Sequence, residues 1–329
     1  MTAPQPSQNN NPALGIFFVV LGMTCISVND MLIKLLSGDY PLHQMVFVRS
    51  AIGISFNLVV LQFEGGFAAL KTDRPFAHLM RGLLIVVSNM AFFAALAVIP
   101  LASATALFFM APLFITLMSI PLLGETVGPR RIAAVVVGFV GVLIMLGPWN
   151  AGEGAAGTVW VLLLPLLSAF TYASMQILTR RLGVASTASA MAIYIQGTFL
   201  VVGALFWAVA GDGQYAGTVE HPSLQFLLRA WRWPDDGDLV LFLALGGISA
   251  VIGYSLSQAY RSAPAATVAP FEYVALPLAF LWGWMFWGEL PDAQAMGGIA
   301  LIVGAGLYIF MREGIRRREV ATRRPIRRW

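Results

Sequence analysis

The chain has 329 residues, of which 58% are hydrophobic and only 11% charged, against about 25% charged in a typical soluble domain. Its mean hydropathy is +0.78, too little polar surface for water, which excludes a soluble enzyme, a disordered scaffold and a disulfide-stapled secreted domain. A lone Cys25 excludes an internal disulfide, and three scattered histidines (His43, His78, His221) make no metal cluster, so no metal and no cofactor are expected.

A helix needs about 20 mostly apolar residues to cross a hydrocarbon core about 30 Å thick. Ten stretches of that kind follow one another, approximately 13–36, 42–62, 76–98, 103–123, 130–148, 158–179, 186–210, 239–260, 264–287 and 294–311. Each is continuous and about twice the ten-residue alternating segment of a membrane β-strand. All ten read as helices, and the chain as an all-α integral membrane protein. The polar, Pro- and Asn-rich residues 1–12 (MTAPQPSQNNNP) read as a disordered tail. They lack a basic n-region and a small-residue cleavage site, so the first span reads as retained.

Basic residues set the expected orientation. With the N-terminus inside, Lys71, Arg74, Arg81, Arg130, Arg131, Arg180, Arg181, Arg261 and eight tail arginines fall inside, against Arg229 and Arg232 outside. Both termini are therefore expected in the cytoplasm. The net charge of +4 is an anchoring signal, not a nucleic-acid footprint. The tail REGIRRREVATRRPIRRW (312–329) has the charge to bind anionic lipid.

The sequence repeats itself. At a constant offset of 164, Pro100 meets Pro264, Ala102 meets Ala266, Ala111 meets Ala275, Leu117 meets Leu281, and Gly124-Glu125 meets Gly288-Glu289. The same offset brings Gly82 onto Gly246 and Ala95 onto Ala259. A first unit over 13–148, an outer linker over 149–157 and a second unit over 158–311 follow. Five spans per unit is an odd number, so the second unit enters the membrane from the opposite side. Inverted repeats of this kind build many secondary transporters. No GxxxxGK[ST] phosphate loop is present, so ATP is not expected to drive the chain directly.

The Gly-Glu endings, each followed by a Gly-rich span (VVVGFVGVLIML and GIALIVGAGLYIF), resemble the EamA-type branch of the drug/metabolite transporter superfamily. More narrowly, SVNDMLIKLL, RPFAHLMRGLL and APFEYVAL followed by GELPDAQAMGG resemble its S-adenosylmethionine uptake carriers; riboflavin carriers belong to the same branch. The resemblance covers roughly residues 13–312. It implies a ten-helix carrier without cofactor, in a bacterial inner membrane, with both termini inside. Glu272 departs from the basic residue expected there in the S-adenosylmethionine carriers.

Charged groups inside spans are costly and usually face a cavity or a partner. Asp30 and Lys34 lie four apart on the first span and share a face, with Asn29 beside them. Arg49 lies in the second span. Glu272 lies about eight residues from the inner end of the ninth, or about 12 Å deep at about 1.5 Å per residue. Asp30 and Glu272 read as substrate or proton sites whose charge Lys34 and Arg49 set; a structural salt bridge from Asp30 to Lys34 or Arg49 is the other reading. Pro112 breaks the fourth span and frees the Phe108 carbonyl, Pro277 does the same to Tyr273, and Pro270 lies about two turns earlier. Such breaks in matching helices point to a transporter binding site, here flanked by Phe108, Phe109, Glu272 and Tyr273.

Tyr172, Tyr194, Tyr254, Phe92 and Phe93 read as core or lipid contacts, and Trp149, Trp160, Trp282, Trp284 and Trp287 as interfacial belt residues. Glu125, beside Arg130 and Arg131, and Glu289 read as boundary groups or as members of a salt-bridge gate. Glycines 138, 141, 304 and 306 should allow close helix approach. The outer loop 211–238, with Trp231, Trp233 and an acidic end (Asp235, Asp236, Asp238), reads as a connector or as a lid with an interfacial helix. An exporter of amino acids or drugs, a membrane enzyme and a channel are the alternatives to a secondary carrier of a small organic metabolite, whose direction the sequence does not fix. The last two lack a paired-carboxylate or His-rich centre and a filter sequence, respectively. Two pocket carboxylates suit a cation with a ring, as in S-adenosylmethionine, whereas cancellation by Lys34 and Arg49 suits a neutral, riboflavin-like molecule.

Overall fold

The computed structural model describes residues 12–72, 74–124, 128–146, 156–182, 188–262 and 269–322, and its elements over these residues are all helical. Glu125, Trp149, most of the tail 1–12 and of the linker 149–157, and the last residues of the basic tail lie outside them. The helices are α1 (Pro12–Leu36), α2 (Leu42–Phe63), α3 (Pro75–Leu96), α4 (Leu101–Phe108), α5 (Ala111–Leu123), α6 (Pro129–Leu146), α7 (Ala156–Leu182) and α8 (Ala188–Ala210). They continue with α9 (Pro222–Leu228), α10 (Asp236–Ser262), a 3-10 segment (Ala269–Val274), α11 (Ala275–Trp287) and α12 (Ala293–Thr322). Proline opens α3, α6 and α9, where its missing N–H is needed by no helical bond.

Among the described residues, seven helices are long and apolar enough to cross a membrane, and Ile132–Met145 and Ala293–Tyr308 are shorter apolar helices. The fourth expected span is two helices. Pro112 has no N–H for the turn before it, so Met110 N bonds to Leu107 O at 3.1 Å and the chain restarts at Ala111. The ninth is a 3-10 segment followed by α11, with Pro277 in the first turn of the new helix. α5 and α11 each have 13 residues and end on a left-handed glycine, Gly124 (φ 67) and Gly288 (φ 63). The two glycines and the two opening alanines stand at the same offset of 164. α12 does not stop at residue 311 but runs on to Thr322, so the start of the basic tail is helical.

The helices pack in pairs: α1 with α10, α3 with α7, α2 with α8, α4 with α11 and α6 with α12. α2 also meets α10 and α3 meets α8; α1 meets α11 and α5 meets α7. Exchanging the first five spans for the last five maps these pairings onto one another. Among the described residues three buried apolar clusters result, and Phe108 packs against the two larger ones. Side chains on the outer faces, such as Phe17, Phe56, Phe63 and Leu205, are exposed apolar groups, as lipid-facing surfaces require. A Cβ on Gly141 would lie 2.7 Å from the Gly298 carbonyl, so these two glycines set the closest approach of α6 and α12. Gly304 has open space at its Cβ position and has no such packing role.

The loop after α8 docks onto the turn between α1 and α2. Arg229 Nη1 donates to the Ser37 and Gly38 carbonyls, Gln44 Nε2 donates to Arg232 O at 2.6 Å, and the Tyr40 hydroxyl donates to Asp238 at 2.7 Å. α9 is only one to two turns long, and its Phe226 is fully buried. Its inner face is therefore occupied by protein, not lipid.

Candidate functional site

Two polar centres lie along the middle of the bundle, joined by aromatic rings. The first is built on α1, α2 and α3. Arg49 Nη1 donates to Asn29 Oδ1 at 3.0 Å and Nη2 to Asn89 Oδ1 at 2.5 Å, while Asn29 Nδ2 donates to Asp30 Oδ1 at 3.1 Å. Arg49 lies within electrostatic reach of Asp30. Its guanidinium also lies over Phe93 (5.6 Å) and Phe199 (5.5 Å). Asn29, Lys34 and Arg49 are all buried. A buried guanidinium needs such acceptors and a counter-charge, and this one has both.

Lys34 does not pair with Asp30. Its Nζ donates to Glu289 Oε2 at 2.5 Å and to the Ile99 carbonyl at 3.3 Å, and lies 4.8 Å from the centre of the Trp287 ring. The cause is local. Gly288 turns left-handed at the end of α11, Glu289 N folds back onto Gly283 O at 3.0 Å, and the carboxylate is brought to the last turn of α1. Glu289, read as a boundary group or a member of a salt-bridge gate, is thus ion-paired to Lys34 across more than 250 positions of the chain.

From Arg49 the rings run inward in steps: Phe93 to Phe92 (5.4 Å), Phe92 to Phe108 (5.6 Å) and Phe108 to Tyr172 (5.3 Å). The second polar centre begins there. Gln176 Nε2 donates to the Tyr172 hydroxyl at 2.8 Å, and Glu272 lies within electrostatic reach of Tyr172 and Tyr273. Tyr273 stacks on Phe109 at 4.6 Å. Phe108 thus closes α4 at the break that Pro112 enforces, and Glu272 and Tyr273 sit in the 3-10 segment before Pro277. The buried Thr105 hydroxyl on α4 has no hydrogen-bond partner among the described residues.

The expected residues therefore divide into Asn29, Asp30 and Arg49 at one centre, Phe108, Glu272 and Tyr273 at the other, and Lys34 with Glu289 beyond the first. Asn89, which the sequence reading passed over, joins the first centre; Phe92 and Tyr172, read as core or lipid contacts, do pack in or against the buried clusters and form the rings between the two centres. A lone amide in a span is as anomalous as a charge, and that signal would have found Asn89. Trp282, read as an interfacial belt residue, donates from Nε1 to Ser27 Oγ at 3.0 Å and so ties α11 to α1. Trp284 is 60% exposed.

Residues 13–147 match the model of the EamA-like transporter family. A riboflavin transporter of Rhizobium johnstonii is 32% identical over 321 residues, covering 97% of each chain. The chain belongs to the EamA-like transporter family. An S-adenosylmethionine uptake transporter of Rickettsia prowazekii is 27% identical over 301 residues, 91% of this chain and 93% of that one. A pseudopaline exporter, CntI, of Pseudomonas aeruginosa is 31% identical over 292 residues, 88% and 94% of the two chains. A solved crystal structure covers 91% of this chain and 96% of its own, with a TM-score of 0.57 and 21% identity, a likeness of fold. This EamA-family chain is a multi-pass membrane transporter, and its curated relatives are transporters, not enzymes.

Proposed function

We propose that the chain is a secondary carrier of a small, flat heteroaromatic metabolite, moved by alternating access and coupled to protons, in a bacterial inner membrane. Ten crossings form two inverted five-helix repeats, 13–148 and 158–311, with both termini in the cytoplasm. The exchange symmetry of the helix pairs and the matched ends of α5 and α11 support the repeat, and the basic residues support the orientation.

The observation that carries the substrate reading is the run of rings from Phe93 through Phe92 and Phe108 to Tyr172, with polar groups at each end. A ring system bound against Phe108 and Tyr172 gains stacking contacts of about 0.5–1.5 kcal/mol each. Its polar edge reaches the amides of Asn29 and Asn89 and the charges of Asp30 and Arg49. Because Arg49 faces Asp30 and Lys34 pairs with Glu289, the charges at this end offset one another. That balance favours a neutral ring such as riboflavin over a cation. Glu272 is the proton site, and the breaks at Pro112 and Pro277 let the segments beside it move. Lys34–Glu289 closes the far end in this conformation.

S-Adenosylmethionine is the second reading, favoured by the carboxylates Asp30 and Glu272 next to aromatic faces. Uptake of labelled riboflavin and of labelled S-adenosylmethionine into liposomes holding the purified chain, with and without a pH step, separates the two. Saturable riboflavin uptake that rises with the proton gradient is expected. Transport of the cation alone would replace the neutral-ring reading, and transport of neither would remove both.

A further inference from the structure

We infer that the groove between α6 and α12 is a binding site for an anionic phospholipid, with the phosphate on Arg130 and Tyr308 and an acyl chain along Ala134, Val137 and Gly304. The groove has a volume of about 300 Å³, and these residues line it. The helices run antiparallel here: Gly141 touches Gly298, while the first turns of α6 lie beside the stretch of α12 that ends at Tyr308. Arg130 and Tyr308 stand at the ends of the two apolar segments, Ile132–Met145 and Ala293–Tyr308, the level at which headgroups meet hydrocarbon. Arg130 and Val137 are exposed, and nothing lies within 4 Å of a Cβ placed on Gly304. The floor is therefore apolar and open, and its rim carries a guanidinium and a phenol.

The other end of the same helix pair is the internal comparison. The offset of 164 carries Arg130 onto Gln294, and Gln294 Nε2 donates to the Ile144 carbonyl at 2.7 Å. A hydrogen bond from a side-chain amide and the Gly141–Gly298 contact draw the helices together there. At the Arg130 end a cation replaces the amide and the helices leave a groove. Basic sites between membrane helices recognise anionic headgroups, and Arg130 stands in the first turn of α6, at the positive end of its dipole. Assignment to the cytoplasmic leaflet rests on the orientation proposed above; binding at the groove does not.

Native mass spectrometry and thermal melting of the full-length chain in a neutral detergent, titrated with phosphatidylglycerol, phosphatidylcholine or inorganic phosphate, test the site. Retained phosphatidylglycerol and a raised melting temperature are expected, with no effect of phosphate and at least tenfold weaker retention of phosphatidylcholine. Arg130→Gln should reduce phosphatidylglycerol retention about tenfold. Gly304→Leu, which fills the floor where space is free, should remove retention while leaving the lipid-free melting temperature within a degree or two. Equal retention of both lipids, or full retention by both variants, overturns the proposal. So does a mass doubling abolished by Gly304→Leu with lipid unaffected, which assigns the groove to a second copy of the chain. Transport is not the readout, so failure here is separate from failure of the carrier reading.

Discussion

Lys34 on α1 and Glu289 just past α11 form an ion pair of 2.5 Å, with Lys34 8% and Glu289 32% exposed, across the two halves of the chain. The pair joins the last turn of α1 to the turn that Gly288 creates, so the ends of these helices cannot part while it holds. Glu289→Gln leaves a buried ammonium facing the Ile99 carbonyl and the Trp287 ring. Breaking a fully buried pair costs about 3–5 kcal/mol; with Glu289 one-third open, about 1–3 kcal/mol is expected. Denaturation of the purified variant measures this cost. Charge reversal of both residues, Lys34→Glu with Glu289→Lys, should recover most of it, and no recovery would mean that the pair acts separately on its two sides.

Arg49 is expected to be less replaceable than Lys34. Its planar fork reaches Asn29 and Asn89 on different helices at once, which a lysine ammonium cannot do in the same geometry. Arg49→Lys should keep the fold and lose most uptake. Asn89→Ala removes one charged hydrogen bond, about 1.5–3 kcal/mol, so the apparent substrate affinity should fall about tenfold or more. Equilibrium binding of riboflavin to the purified variants is the measurement. An Asn89→Ala variant with unchanged affinity would take the first polar centre out of the binding site.

Glu272→Gln keeps the shape of the side chain and removes its charge beside Tyr172 and Tyr273. The variant is expected to elute as folded protein and to exchange or bind substrate without response to a pH gradient. Uptake that is undiminished and still follows the gradient would end its assignment as the proton site.

The architecture was legible because lipid leaves few choices: continuous apolar stretches had to be helices, and the Gly-Glu register pointed to the repeat proposed above. The breaks were legible as prolines, though not their extent, since a proline shows where a hydrogen bond is lost and not how the preceding turn rearranges. Partners were the least legible. Spacing alone allowed Asp30 to pair with Lys34 or Arg49, and could not show that a left-handed glycine more than 250 positions away delivers Glu289 to Lys34. Tyr172 and Phe92 looked like any core aromatics, because what distinguishes them is position between two polar centres, a property of helix packing and not of local sequence. Gly304 looked like a packing glycine for the same reason, and it lines an open groove.

Gly124 and Gly288 both take left-handed backbone at the end of a 13-residue helix, and both return an N–H to the carbonyl four residues back, at 3.1 Å. An L side chain in that conformation costs about 1–2 kcal/mol, so Gly124→Ala and Gly288→Ala should each destabilise by about that amount. The two should nevertheless differ in kind. Gly288 also aims Glu289 at Lys34, so Gly288→Ala disturbs the ion pair, and its cost should fall when Lys34→Met is already present. In such a double-mutant cycle neighbouring groups couple by about 0.5–3 kcal/mol, whereas distant ones add within about 0.5 kcal/mol. Gly124→Ala combined with Lys34→Met should be additive. Coupling of Gly124 to Lys34 as strong as that of Gly288 would show that the glycines act through the whole bundle and not through the turn each one makes.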